Sequence, residues 1–414
     1  SVATIPADPE AELMPGVRWG RPEWVPSAAF WAFMVGRASE PVDGANPRVE
    51  GTQPAAVPEE SVGHPSIKPL GETPKTQTGA DQRWVKILKD NEGVWANEAI
   101  RVHSPSMGRD IPVAIFRATG ANGQLVSDAP TVYLLNGAGG SEQNTDWVTQ
   151  AFDQMYATYG RAGVNVVVPM EGAFSYYVDW ADEPPVTNTY YKGKQMWSTF
   201  LAEELPGSVE PYLGANGRRA VAGLSMAATS ALLLAEHYPD TYDAVGSFSG
   251  CAATSTPVPW KFVDLTVSRA APGAMTPEPI FGERGSEENR SKDALVNAGK
   301  LKGTAVYISN GTGLAGEGDM AGTLKERLIN AGEDPAVASV VAGSNALTLQ
   351  VEGGAIEAAT NACTHDLLVK LAAEGVEVGH TELRNVGTHS WGTWRDDLQL
   401  SYDTVFKKAL NPEL

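Results

Sequence analysis

The chain has 414 residues, of which 42% are hydrophobic and 20% charged, and its formal net charge is −19 at pH 7. This length and balance indicate a globular protein with one large domain and appendages, or with two domains. Nucleic acid is not an expected partner, because proteins that bind phosphate backbones present basic surfaces. The sequence has no run of 18 apolar residues, so it predicts no membrane-spanning helix.

Residues 1–80 differ from the rest, since they contain 12 of the 28 prolines. Proline at this density disfavours helix interiors and central strands. Trp19, Trp24 and Trp31 are nevertheless too apolar for a free linker. We therefore expect residues 1–80 to form an extension that packs on the body, with a linker over residues 40–80. The sequence opens without Met and without a signal-peptide pattern, as expected of a processed chain.

From about Arg83 the chain alternates between strand-like and helix-like stretches. Short apolar runs predict strands at 99–107, 111–118, 131–137, 163–170, 219–225, 243–250 and 303–311. Longer stretches predict helices at 145–160, 194–206, 226–238 and 355–374. Such alternation indicates an α/β fold, in which helices cover both faces of a mostly parallel sheet.

Ser225 stands between the apolar run "RAVAGL" and the helix-like run from Met226, within the motif Gly-Leu-Ser-Met-Ala. A G-x-S-x-G turn of this kind places a serine nucleophile at the carboxyl end of a central strand, and small flanking residues allow the sharp bend. Here Ala227 replaces the second glycine. The alternative interpretation is that Ser225 only caps the following helix.

Two further stretches fit the chemistry of a serine nucleophile. The glycine-rich "LLNGAGG" (134–140) follows a strand, so the Ala138 amide could join that of Met226 in an oxyanion hole. His389 lies late in the chain, in "NVGTHSWGTW", where this fold places its general base. A plain turn at Ala138 and a structural loop histidine at His389 are the alternatives.

These stretches resemble a known family, the mycolyltransferases, which comprise the antigen 85 proteins of mycobacteria and their corynebacterial relatives. The matching segments include "SPSMGRDIPV", "VYLLNGAGG", "VVVPMEGAFSYYVDW", "GLSMAATSALLLAEHYP", "YISNGTG" and "GTHSWGTW". They occur in the family's order over residues 97–400, whereas residues 1–80 lie outside the resemblance.

The resemblance implies an α/β-hydrolase fold with a Ser–Glu–His triad. Ser225 and His389 correspond to its nucleophile and base, and Glu357 to its acid, with Glu352 as the runner-up. The family's oxyanion amides correspond to Ala138 and Met226. Its sugar-contacting positions correspond to Asn136, Gln150 and Trp391. The chain departs from the mycobacterial proteins at two positions, since Asn136 matches an aspartate and Gly139 an arginine.

By themselves, the two cysteines fit either two buried thiols or one disulfide. The resemblance implies export to the cell envelope, which favours a Cys251–Cys363 disulfide. Cys251 follows a predicted strand, and Cys363 lies on the helix predicted to carry the acid, so both fall at one end of the sheet.

The function implied by the resemblance is transfer of a mycolyl group from trehalose monomycolate through a serine acyl-enzyme. The acceptor would be a second trehalose monomycolate or arabinogalactan. We expect a monomeric, secreted enzyme that needs no metal or organic cofactor, with a catalytic domain over residues 81–414 and a lid-like insertion at 252–300. The alternatives are a secreted carboxylesterase of the same fold, mycolyl transfer to protein serine, and a non-catalytic protein that binds sugar or matrix.

Overall fold

Nine strands form one sheet in the computed structural model, which describes residues 66–414 apart from residues 317–318, 331–332, 349 and 351–352. The expected docking of residues 1–65 through Trp19, Trp24 and Trp31 therefore lies outside the described residues. The strands are β1 (Ile67–Pro69), β2 (Asn97–Ser104), β3 (Arg109–Phe116), β4 (Thr131–Leu135), β5 (Asn165–Pro169), β6 (Arg219–Leu224), β7 (Ala244–Phe248), β8 (Ala305–Asn310) and β9 (His380–Leu383).

The strand order across the sheet is β1-β2-β3-β5-β4-β6-β7-β8-β9. The first three pairings, β1 with β2, β2 with β3 and β3 with β5, are antiparallel. All the others, from β5–β4 to β8–β9, are parallel. The expected mostly parallel sheet is thus confirmed, and β6 lies in its parallel part, between β4 and β7.

Helices and single helical turns cover both faces of this sheet. The α-helices are α1 (Arg83–Asp90), α2 (Trp147–Tyr159), α3 (Trp197–Thr199), α4 (Leu205–Leu213), α5 (Met226–His237), α6 (Pro257–Val267), α7 (Glu278–Phe281), α8 (Glu287–Ser291), α9 (Ala321–Asn330), α10 (Pro335–Thr348), α11 (Gly354–Ala373), α12 (Trp391–Ser401) and α13 (Lys407–Leu410). Short 3-10 turns occur at Gly140–Gln143 and Ala298–Leu301, and π-helical turns at Phe200–Glu204 and Tyr402–Phe406. Among the described residues, we find no helix that is long and apolar enough to cross a membrane.

Alternation along the buried strands divides the core into two layers. Val221 of β6 packs with α5 on one face, while Ala220 and Ala222 pack with α2 and α12 on the other. Successive side chains of a strand point to opposite faces, so each central strand contributes to both layers. All side chains of β4, β5 and β7 are buried, as expected for strands covered on both sides.

The folded body begins earlier than the sequence indicated. β1 pairs with the edge of β2, with Ile67 opposite Val102 and Pro69 opposite Ile100. The interpretation of residues 40–80 as linker is therefore wrong for its last part. A proline-containing strand is tolerated here because β1 is the outermost strand, where a missing N–H costs no ladder hydrogen bond.

A helical hairpin between β8 and α11 was not anticipated. Its helices α9 and α10 pack on each other through a small cluster that is separate from the main core, formed by Leu324, Leu328, Ala338, Ala342 and Ala346. The α10 sequence, "PAVASVVAGSNALT", consists mostly of small and apolar residues, so its periodicity gave no clear helical signal.

Candidate active site

Ser225 occupies a strained turn between β6 and α5. Its backbone angles are φ 53° and ψ −121°, in a region that non-glycine residues rarely adopt. The Ser225 amide donates to the Phe248 carbonyl on β7 over 2.9 Å, which holds the turn against the neighbouring strand. Such strain persists only where the surroundings impose it, and it is common at functional residues.

Small residues around Ser225 are required by close backbone approach. A Cβ at Gly223 would meet the Ala227 Cβ at 2.8 Å and would clash with the Ala227 backbone. A Cβ at Gly250, after β7, would likewise clash with the Ala228 side chain of α5. Ala227 is fully buried at this contact, so its methyl group is accommodated where the G-x-S-x-G motif has its second glycine.

A continuous hydrogen-bond chain joins Ser225, His389 and Glu357. His389 Nε2 lies 2.8 Å from Ser225 Oγ, and His389 Nδ1 lies 2.8 Å from Glu357 Oε2. An ionised carboxylate only accepts hydrogen bonds, so Nδ1 carries the proton and Nε2 is left to accept from the serine hydroxyl. This arrangement is that of a nucleophile, a base and an orienting acid.

The Glu357 carboxylate is fully buried on α11 and is held by donors from two strand ends. Its Oε1 accepts hydrogen bonds from Ser249 Oγ at 2.8 Å, Asn310 Nδ2 at 3.1 Å and the Gly311 amide at 2.6 Å. Ser249 follows β7, and Asn310 ends β8. Sequence reasoning missed these three donors, although each stands directly at the carboxyl end of a predicted strand. The alternative acid, Glu352, lies outside the described residues.

A second buried carboxylate, Asp319, supports the loop that carries His389. Asp319 Oδ1 accepts from Thr388 Oγ1 at 2.6 Å and from Ser390 Oγ at 3.3 Å, the two neighbours of the histidine. Burial raises the pKa of Asp319, and these hydroxyl donors oppose that rise. The residue stands in a loop before α9, and no sequence pattern marked it.

The predicted oxyanion donors flank Ser225 at the end of the sheet. Met226 begins α5, where the first amides have no intrahelical acceptor. Ala138 lies in the loop after β4, the neighbour of β6. A Cβ at Gly137 would lie 2.7 Å from Leu224 Cδ1, so this loop passes beside the residue before Ser225.

Trp391, a predicted sugar contact, lies inside the core. Its ring is 1% exposed and packs edge-on against Trp147 at 4.9 Å and Trp394 at 5.5 Å. Trp394 in turn packs edge-on against the His389 ring at 5.0 Å. A ring enclosed in this way offers no face to a sugar, so the prediction of direct contact is wrong for this structure.

Asn136 and Gln150 are buried as well, and each has a structural partner. Asn136 Nδ2 donates to the Pro169 carbonyl, and its Oδ1 accepts from the Trp147 amide. Gln150 Nε2 donates to the Asn144 carbonyl. The two side chains hold the start of α2 against neighbouring loops, which contradicts the prediction that they contact sugar.

An apolar pocket with a cavity volume of about 50 Å³ opens beside Ser225 and His389. One wall is α6, within the predicted insertion 252–300, and the others come from α5, α11 and the segment after β7. The pocket residues outside the triad include Tyr176, Thr229, Pro259, Phe262, Val263, Leu265, Thr266, Ile356 and Thr360. Thr229 and Thr266 turn their hydroxyls to backbone carbonyls, which leaves their methyl groups for an apolar ligand.

The disulfide Cys251–Cys363 is present, with a Cα–Cα distance of 5.0 Å. It joins the segment after β7 to α11, so it links one pocket wall to the helix that carries Glu357. The expectation of this bridge is therefore confirmed. Within the described ranges, we find no group of three or more His, Cys, Asp or Glu side chains that could hold a metal ion.

The fold and the hydrogen-bond chain Ser225–His389–Glu357 together define an α/β-hydrolase with a serine-hydrolase type of site. The chain belongs to the Esterase family, whose family model matches residues 104–401.

Two mycobacterial relatives are similar over about half of the chain. This chain is 35% identical over 225 residues to diacylglycerol acyltransferase/mycolyltransferase Ag85A of Mycobacterium tuberculosis. The aligned region covers 52% of this chain and 61% of that protein. This chain is 33% identical over 228 residues to Ag85B of Mycobacterium leprae, covering 52% and 63%. The resemblance to the antigen 85 proteins is thus confirmed, although the chain spans only about three-fifths of the length of these curated relatives.

The crystal structure of MPT51 of Mycobacterium tuberculosis has the same fold. It aligns with a TM-score of 0.52 and 24% identity over 74% of this chain and 96% of that one. At this identity the similarity supports the fold assignment alone.

Proposed function

We propose that this protein is a secreted acyltransferase that moves a mycolyl group from trehalose monomycolate through an acyl-enzyme on Ser225. The observation that carries the proposal is the Ser225–His389–Glu357 hydrogen-bond chain at the mouth of an apolar pocket. The similarity to proteins named diacylglycerol acyltransferase/mycolyltransferase supports acyl transfer over other serine chemistry.

In the first half-reaction, Ser225 Oγ attacks the ester carbonyl while His389 Nε2 takes its proton. The carbonyl oxygen becomes an oxyanion, which the amides of Ala138 and Met226 stabilise. Glu357 keeps the imidazole oriented and stabilises its charged form. The ester bond then breaks, the sugar oxygen takes the proton back from His389, and trehalose leaves the acyl-enzyme.

In the second half-reaction, a hydroxyl of a second sugar replaces the leaving group. His389 takes the hydroxyl proton, the sugar oxygen attacks the acyl carbonyl, and Ser225 Oγ leaves with the proton. The product is a new sugar ester, either trehalose dimycolate or mycolylated arabinogalactan, and the serine is regenerated.

The apolar lining of the pocket supports an alkyl chain as the acyl group. Burying methylene groups against Phe262, Val263 and Ile356 stabilises the chain by about 0.8 kcal/mol per CH₂. The insertion 252–300 supplies α6 as a lid over this chain. Export fits the disulfide, because such bridges persist in oxidising surroundings.

Hydrolysis is the second candidate function, because water can attack the same acyl-enzyme and the chain belongs to the Esterase family. An esterase would release free acid whether or not a sugar is present, whereas a transferase would divert the acyl group to the sugar. Transfer to a protein serine would use the same chemistry with another hydroxyl.

The test is incubation with trehalose monomycolate, with the products resolved by mass. We expect trehalose dimycolate from the wild type and a loss of activity of about a millionfold in Ser225→Ala. Ser339→Ala, at an exposed serine on α10, is the matched control and should behave as wild type. Free mycolic acid as the sole product would favour the esterase, and activity retained in Ser225→Ala would overturn the nucleophile.

A further inference from the structure

The two sides of Ser225 differ in chemistry. On the β7 side lies the apolar pocket with α6 and Cys251. On the β4 side lie the loop of Ala138 and the 3-10 turn Gly140–Gln143, which meet the long loop between β5 and α3. A sugar ester has an apolar acyl part and a polyhydroxylated part, so the two parts need surfaces of opposite character.

A pair of partly exposed polar side chains lies on the β4 side. Gln143 Nε2 donates to Tyr190 Oη over 3.1 Å. A glutamine amide has two donor hydrogens and an acceptor oxygen, and a phenol both donates and accepts, so this one bond leaves capacity for a ligand. Burial raises the pKa of Tyr190, which keeps its hydroxyl protonated as a donor.

Both members of the pair are anchored beside the loop of Ala138. A Cβ at Gly139 would clash with the Gln143 amide and would lie 3.0 Å from Thr145 Oγ1, so the Gln143 side chain fills the space next to Gly139. The Tyr190 ring packs edge-on against Phe174 at 5.0 Å. Phe174 in turn donates its amide to the Ala138 carbonyl over 2.8 Å.

An ion pair fixes the same two segments to each other. Lys192 Nζ lies 3.1 Å from Glu142 Oε1, and this contact joins the residue before Gln143 to the residue two positions after Tyr190. The Lys192 side chain is 42% exposed and the Glu142 side chain 1% exposed. Burial raises the pKa of Glu142 to about 7, although Lys192 opposes that rise. Gln143 and Tyr190 are thus held in a defined geometry before any ligand binds.

We propose that Gln143 and Tyr190 form the binding surface for the sugar acceptor, positioned by the Lys192–Glu142 ion pair. This inference rests on the proposed function and names the residues that select its acceptor. It takes the place of the buried Asn136, Gln150 and Trp391, which have no surface for a sugar. The ligand class is a polyhydroxylated carbohydrate, whose hydroxyls can both donate to the amide oxygen and accept from the phenol.

The test compares two acceptors that compete for the same acyl-enzyme, formed from a p-nitrophenyl ester. Trehalose needs a binding surface, whereas methanol is too small to depend on one. We expect Gln143→Ala and Tyr190→Phe each to lower the ratio of trehalose ester to methyl ester about three- to tenfold, as expected for one lost hydrogen bond. Lys192→Met should lower the same ratio by a smaller factor.

Two matched controls lie away from this surface. Tyr212→Phe removes a hydroxyl that donates to Glu98 of β2, which lies four strand positions from β6. Gln399→Ala removes an amide that bonds Thr158 and Asp403. Both should keep the wild-type ratio.

Unchanged ratios in both Gln143→Ala and Tyr190→Phe would overturn the acceptor surface while leaving acyl transfer intact. A wild type that transfers to methanol but not to trehalose would also overturn it. A wild type that forms neither ester and releases only free acid would instead overturn the proposed transferase. The two failures are therefore distinguishable.

Discussion

The β7 side and the β4 side of Ser225 are built by different means. The β7 side is an apolar pocket, in which Thr229 and Thr266 turn their hydroxyls to backbone carbonyls. The β4 side is a set of loops joined by directional bonds, such as Gln143 with Tyr190 and Lys192 with Glu142. Apolar contact is non-directional and scales with area, whereas hydrogen bonds select by geometry. We infer that the first side sets acyl length and the second sets acceptor choice.

After loss of the nucleophile, the largest expected effect on activity comes from the triad, which lies between the β7 side and the β4 side. Glu357→Gln should lower kcat by about a thousand- to ten-thousandfold, because the amide can donate to Nδ1 and favour the wrong histidine tautomer. Kinetics with a p-nitrophenyl ester would measure it. Glu352→Gln is the matched control, and a larger loss there would transfer the acid role to Glu352.

On the β7 side, removing the disulfide should lower stability. The double variant Cys251→Ser with Cys363→Ser should lose about 2–5 kcal/mol of the free energy of unfolding, since the bridge closes a loop with a sequence separation of 112. Urea unfolding of the oxidised wild type and of the variant would measure the difference. Peptide mapping that found two free thiols in the isolated protein would contradict the bridge itself.

On the β4 side, stability should depend on pH through Glu142. Its folded-state pKa, about 7, lies above the ordinary value of 4.5. The contribution of Glu142 to stability is therefore fully present below pH 4.5 and is lost as the pH rises through 7. Between pH 5 and pH 8, we expect the free energy of unfolding of Glu142→Gln to rise relative to that of the wild type by about 2–3 kcal/mol, because an amide does not ionise. Chemical unfolding at both pH values tests this.

The opposite sign or a flat difference would show that the Lys192 ion pair outweighs the burial of Glu142. Glu413→Gln, at an exposed carboxylate near the end of the chain, should leave the pH dependence of the wild type unchanged.

The smallest expected effect concerns acyl length. Leu265→Ala should lower the preference for long over short acyl esters, measured as a ratio of kcat/KM values, about three- to tenfold, because it removes apolar area from the pocket wall. Leu414→Ala is the matched control, since that side chain is 80% exposed. An equal change for long and short esters would show that Leu265 does not contact the chain.

Much of the site was predictable because its parts are local in sequence. The strand–turn–helix pattern around Ser225 and the glycine-rich loop after β4 are contiguous signals, and the structure places them at one end of the sheet. Glu357 needed the family resemblance, because it lies 32 positions before His389 and the rest of α11 and β9 lie between them. No sequence pattern around Glu357 or around His389 indicates that the two residues pair.

The sequence by itself determined the α/β class, the central strands, the turn at Ser225 and the segments that carry the triad, because buried strands and tight turns restrict residue type locally. Only the tertiary structure decided which side chains face the site. It buried Trp391 between Trp147 and Trp394, brought Asp319 under Thr388, and set Gln143 against Tyr190. These outcomes depend on how distant segments pack, and the free energy of packing belongs to pairs of surfaces that no single stretch of sequence contains.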